Sequence, residues 1–248
     1  MKATQPRRRR GNRNTLPWIL AAVVSLPVAT DSASAITVNV NYNPVTSEGP
    51  GVDPFGIALM TVVQAAADQW EDLILDPWVV TIDISWQQPA DMFNGNALAE
   101  GISTSSTAGK PVTGYVRFNN TKDWYFDATP YEDEEYDMQQ TLYRDLDPLL
   151  QAPWYGGDAL PGQAPDMYNV DLFSVAMHEI GHVLGMNAEV NGGQVGDGDY
   201  DVNPAFVGGA VMDIADNDEH LSIIPAAMYP SIGSGERKRI SQTDLFAI

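Results

Sequence analysis

The sequence predicts an α+β domain, on three observations. Residues 36–86 open with strand, helix and strand, each legible in its hydrophobic period. Two weaker strands follow at 96–106 and 114–120, separated by a Gly/Pro turn. A long apolar helix then stands apart at 170–186.

Each element has its own warrant. ITVNVNYN (36–43) alternates apolar and polar residues, as a half-buried strand does. PFGIALMTVVQAAADQWEDLIL (54–75) places Ile57, Leu59, Met60, Val63, Ala66, Trp70 and Leu73 at helical spacing. Pro54 suits the first turn of that helix. WVVTIDISW (78–86) reads as the second strand, and NALAEGISTSS and GYVRFNN as the next two. Residues 127–169 mix an acidic helix-like stretch with Pro/Gly-rich loop. Their aromatics, Tyr131, Tyr136, Tyr143, Trp154 and Tyr155, predict a segment packed onto the domain. VDLFSVAMHEIGHVLGM (170–186) is apolar on most faces, so it is expected to be buried. Residues 187–209 read as loop. SQTDLFAI (241–248) opens a short helix, with Ser241 as N-cap and Asp244 three residues on. No repeat and no second domain is visible, and 44% hydrophobic content over 248 residues suffices for one core.

The N-terminus is read apart from that domain. A basic stretch, MKATQPRRRRGNRN, precedes LPWILAAVVSLPVAT, which is apolar but short for a membrane span. Ala33-Ser34-Ala35 then gives a small-x-small cleavage signal. Residues 1–35 are therefore expected to be a secretory signal peptide, with an uncleaved anchor as the alternative, and 36–248 the folded domain. The expected location is extracellular. Residues 1–35 hold six of the 13 Lys and Arg and one of the 33 Asp and Glu. The remaining 7 basic and 32 acidic residues give a net charge of −25 over 213 residues. Such a field argues against nucleic acid and against anionic membranes as partners. Most of the carboxylates read as a solvated surface. Calcium is a second candidate cofactor, with the Asp197, Asp199, Asp201 run as its place, although that run lacks the glycine and closing glutamate of an EF-hand. There is no cysteine, so no disulfide braces the chain and no thiolate can be nucleophile or metal ligand.

The chemistry concentrates in HEIGH. His178 and His182 are four apart, on one face of a helix and within reach of one ion. Catalytic zinc takes three protein ligands, lowers the pKa of water to about 7 and polarises a carbonyl. Glu179, beside the first histidine, can accept the water proton. The bland alternative is two core histidines bonded to neighbours. The chain has only three histidines, and two of them fall here.

DLFSVAMHEIGHVLGM resembles the active-site helix of the metzincin zinc proteases, and most closely that of the matrixins. Gly185 stands where that helix breaks. AAMYPSI (226–232) resembles the Met-turn, with Met228 as an apolar floor under the histidines rather than a ligand. SGERKRISQTDLFAI resembles the segment that opens the last matrixin helix. NALAEGIS and GYVRFNNTKDWYF resemble the edge strand and its neighbour. The resemblance implies a twisted, mostly parallel sheet with an antiparallel edge strand, a backing helix, an active-site helix and a short C-terminal helix.

The third ligand is the point of departure. Matrixins carry a histidine three residues after the glycine, and here that position holds Ala188. The one remaining histidine, His220, lies eight residues before Met228, the matrixin spacing. Residues 186–219 thus separate Gly185 from His220, similar to the insertion of the leishmanolysin branch. The expected zinc ligands are His178, His182 and His220, with 187–219 as an inserted loop. Glu189 is a rival third ligand, and Asp218 and Glu219 are candidate partners of His220.

The resemblance implies a secreted zinc endopeptidase, monomeric, hydrolysing protein or peptide substrates with Glu179 as general base. Two other classes stay open: an exported binding domain stabilised by its metal, and a zinc hydrolase of a non-protein amide. Bound zinc without peptide cleavage separates them from the first.

Overall fold

The computed structural model describes residues 35–44, 49–136, 139–143, 151–156, 169–186, 199–201, 211–215, 220–221, 226–241 and 244–245. The expected signal peptide, Glu189, Asp197, Asp218 and Glu219 lie outside these residues, as does most of the inserted loop. The elements run β1 (Thr37–Tyr42), α1 (Ile57–Leu73), β2 (Val79–Gln87), β3 (Ala99–Thr107), β4 (Lys110–Asn119), β5 (Trp124–Tyr125), β6 (Gln139–Tyr143), β7 (Gln151–Gly156), β8 (Val170–Asp171), α2 (Leu172–Leu184), β9 (Asp199–Asp201), β10 (Val211–Ala215), β11 (His220–Leu221) and β12 (Glu236–Lys238).

The principal sheet has the order β1-β2-β4-β3. β1 pairs parallel to β2 (Thr37↔Val79) and β2 parallel to β4 (Thr81↔Thr113). β3 is antiparallel to β4 (Ala99↔Phe118) and occupies the edge. The architecture is therefore α+β with a mostly parallel sheet and an antiparallel edge strand. β3 and β4 join through Ala108 and Gly109 at φ 52° and 80°, and two consecutive positive-φ residues match the twist of a hairpin.

Alternation puts Val80, Ile82 and Ile84 of β2 into the core, each fully buried. α1 meets them with Leu59, Val63, Ala66 and Trp70, also fully buried. Burying an apolar side chain of this size contributes about 1.5–3 kcal/mol. Trp70 also crosses to the second helix, its indole N–H donating to the Met177 carbonyl at 3.1 Å. That bond satisfies a buried donor and joins the backing helix to the active-site helix.

Several element boundaries differ from the sequence reading. α1 begins at Ile57 rather than at Pro54. Gly56 is left-handed (φ 68°), and the Asp53 carboxylate accepts from the amides of Ala58 and Leu59 at 3.1 and 3.0 Å. This supplies the cap and fixes the start. α2 begins at Leu172, because Val170 and Asp171 pair with Trp124 and Tyr125. The stretch read as acidic helix and loop holds the strands β6 and β7, paired Gln139↔Tyr155, with β7 also paired to β12 (Arg237↔Tyr155). A partner more than 80 residues away decides that conformation, and local periodicity cannot report it. β9 likewise lies inside the segment read as loop and pairs with β10. Of the aromatics expected to pack, Tyr136 is buried while Tyr131 is exposed, its hydroxyl donating to Asp68 at 2.6 Å. Asp199 and Asp201 fall in β9. No helix among the described residues is long and apolar enough to cross a membrane.

Candidate metal centre

α2 starts from a cap that also anchors it. The Asp171 carboxylate accepts from Ser174 N at 3.1 Å, satisfying a first-turn amide. Twelve of its 13 residues are buried, and His178 is the half-buried exception. His178 and His182 project one turn apart, as their spacing dictates, with their Nε2 atoms 3.0 Å from each other. β11 delivers His220, whose Nε2 lies 3.2 Å from each of them.

Two of the three rings are oriented by carbonyls. His178 Nδ1 donates to Ala227 O at 2.8 Å, and His182 Nδ1 donates to Met186 O at 2.6 Å. A carbonyl only accepts, so the ring proton sits on Nδ1 and Nε2 presents a lone pair. All three rings are held neutral. Burial is the leading cause in each, lowering His178 well below the usual histidine range, His182 below it, and His220 to about 3. The neighbouring imidazoles add to this for His178 and His220. The His178 and His182 lone pairs, on atoms 3.0 Å apart, repel unless a cation lies between them. The triangle of the three Nε2 atoms has a centre about 1.8 Å from each nitrogen, close to the about 2.0–2.1 Å of zinc–imidazole bonds. The residues present fit zinc, in number, chemistry and spacing. Among the described residues no other group of three or more ligating side chains comes together in this way.

The break after α2 serves the site. Gly185 takes φ 144°, a value an L side chain seldom adopts, and its amide closes on Gly181 O and His182 O. Met186 N turns back onto Gly181 O, which brings the Met186 carbonyl to His182. Met228 is fully buried, with its Sδ against Gly181 of the active-site helix. A Cβ added at Gly181 would lie 2.3 Å from that sulfur and 3.3 Å from the Trp70 ring. We expect Gly181→Ala to cost about 1–3 kcal/mol by overpacking. An unchanged urea midpoint would show that Met228 is not wedged there.

Asp244 supports the turn from below. Its buried carboxylate accepts from Ala227 N (3.2 Å), Met228 N (2.8 Å), Ser241 N (2.7 Å) and Ser241 Oγ (2.6 Å). Burial pushes its pKa up, and these donors oppose the shift. Ser241 Oγ accepts from Asp244 N in return, so the expected cap is present and the helix start also carries the Met228 turn. The sequence showed the cap and gave no sign of the second role. β11 is tied to the same turn by Leu221 N, which donates to Met228 O at 2.9 Å. His178 and His220 are thus both positioned by residues 226–228.

The matrixin family's sequence model matches residues 62–195, more than half of the chain. The chain belongs to the matrixins. No curated protein and no solved structure gives a significant match. The matched span of this matrixin covers most of α1, the strands β2, β3 and β4, HEIGH and Gly185, and stops before His220 and Met228. His220 lies outside that span, and the structure brings its imidazole together with those of His178 and His182. The matrixins are a zinc metallopeptidase family, and the triad is a candidate zinc site.

A cavity of about 390 Å³ opens beside the histidines. β3 lines one side through Ala99, Glu100 and Gly101, and α2 the other through Ser174, Val175 and Glu179. Glu179 is buried and faces this space. Burial pushes its carboxyl up to about 8, with Glu100 adding to the shift and the Gly101 amide opposing it. A divalent cation at the histidines acts in the opposite direction and favours the carboxylate.

Residues 237–239 were legible only as a basic segment, yet all three are buried. Arg237 pairs with Asp127 (2.6 Å) and Asp171 (2.9 Å), all with side chains fully buried. It connects β12 to the residue that caps α2. No local pattern signals this, because the acidic partners lie in other segments.

Proposed function

We propose that this matrixin is an exported zinc-dependent endopeptidase in which His178, His182 and His220 hold the metal and Glu179 is the general base. The meeting of three neutral imidazoles through their Nε2 atoms carries the reading. The zinc supplies an acidified water and polarises the scissile carbonyl. The chain's own residues do the rest. The outer edge of β3, unpaired among the described residues, offers backbone groups to an extended peptide, which lays it along the cavity. Glu179 accepts the proton from the attacking water and returns it to the leaving amine. Gly185 and Ala227 act at a distance, by fixing where the His182 and His178 rings point. Export rests on the 1–35 sequence pattern, and a net charge of −25 on the remaining chain suits neither nucleic acid nor an anionic membrane as a partner.

The test is a mixed peptide library incubated with the purified protein, with and without a chelator. We expect internal peptide bonds to be cut and the chelator to abolish cutting. Bound zinc with no peptide cut would favour the non-catalytic reading or a non-peptide amide.

A further inference from the structure

The cavity is lined by a lysine that neither the metal centre nor the proton transfer uses. Lys238 lines the same cavity as the histidines and is 2% exposed. Its backbone is fixed to the active-site helix, with Lys238 N donating to Ser174 Oγ at 2.7 Å. Its Nζ donates to Ser231 O at 2.6 Å and lies 4.7 Å from the centre of the Tyr229 ring. No carboxylate among the described residues lies within ion-pair distance of it, although Glu236 and Asp244 exert weaker, longer-range attraction. Its two neighbours in sequence contrast with it, since Arg237 and Arg239 both have aspartate partners. An ammonium has three donors, and one carbonyl and one ring face satisfy it only in part. Taking it out of water is costly unless something pairs with it.

We infer that Lys238 makes this cavity selective for a carboxylate on the substrate. The inference rests on the peptidase reading above and names the side chain that reading leaves open. The walls fit such a group. Val175, Ile232 and Tyr229 give apolar wall for a methylene stem, and the Lys238 ammonium lies 4.7 Å from the centre of the Tyr229 ring. The cavity volume of about 390 Å³ accommodates a glutamate side chain with room for water. The net charge of −25 over residues 36–248 repels acidic peptides as a whole, so the carboxylate is selected at one position within an otherwise neutral or basic sequence. The carboxylate has two sources, an Asp or Glu side chain or the free terminus of a short peptide.

Binding separates this from turnover. Zinc-loaded Glu179→Gln protein is titrated calorimetrically with N-acetylated, C-amidated peptides that carry Glu or Gln on either side of a central bond. A second set keeps Gln and leaves the C-terminus free. The Glu peptides are expected to bind roughly tenfold or more tightly than the Gln peptides, the gain of a charge-assisted pair. Tighter binding in the second set instead assigns the pocket to a chain terminus. Adding Lys238→Met should abolish the difference, and Lys238→Arg should retain it. In the active protein the same preference is expected in KM more than in kcat. Equal binding of all peptides overturns the inference, and so does a preference that survives Lys238→Met in protein with an unchanged circular dichroism spectrum. Absence of cleavage by the wild-type protein would overturn the peptidase reading, while the titration would still report whether the cavity holds a carboxylate.

Discussion

Replacing Glu179 by Gln is expected to reduce kcat by about 10²- to 10⁴-fold while leaving the metal content unchanged. The two halves of that result follow from separate features. Glutamine keeps the size and burial of the side chain, so α2 and its two histidines stay in place. It cannot accept a proton, so a water attacking beside it loses its base. Zinc analysis and steady-state kinetics on the same preparation check both halves. Loss of zinc together with activity would mean that Glu179 holds the site together rather than moving a proton. Full activity would remove it from the mechanism.

The largest effect on stability is expected at Arg237. Its guanidinium lies over the Tyr136 and Phe173 rings and satisfies Asp127 and Asp171 in a fully buried setting. Arg237→Met fills much of the same space and leaves two buried carboxylates without their cation. Breaking such a pair from one side costs about 3–5 kcal/mol. Asp171 also caps the active-site helix, so the damage reaches the histidines. Urea unfolding of the zinc-loaded protein measures the loss. A change below about 1 kcal/mol would mean that the network is neutral to stability.

What the sequence discloses about this protein follows the range of each interaction. HEIGH is legible because a helix brings residues four apart together without help from the rest of the chain. The break at Gly185 is legible because few residues tolerate φ 144°. His220 could be singled out by scarcity, as the third of three histidines, and by its spacing to Met228. The structure adds that its Nε2 reaches both helix histidines. Where pairing spans many residues, local reading fails. The strands β6 and β7 were mistaken because β12 helps to define them from the far end of the chain. Asp244 is legible as the capping partner of Ser241, three residues away, while the Met228 turn it supports lies 16 residues away. Asp53 moved the start of α1 by reaching over a left-handed glycine, which no periodicity records.

The central claim is that a histidine 35 residues beyond the helix break completes the metal site. The direct test is zinc stoichiometry, measured after dialysis against trace chelator, on the wild-type protein and on His220→Ala. The account predicts one zinc per chain for the wild type. It predicts a loss of at least about tenfold in zinc affinity for the variant, since two imidazoles on one helix make a weak site. Full zinc retention by His220→Ala, at wild-type affinity, would contradict it and return the third ligand to another residue.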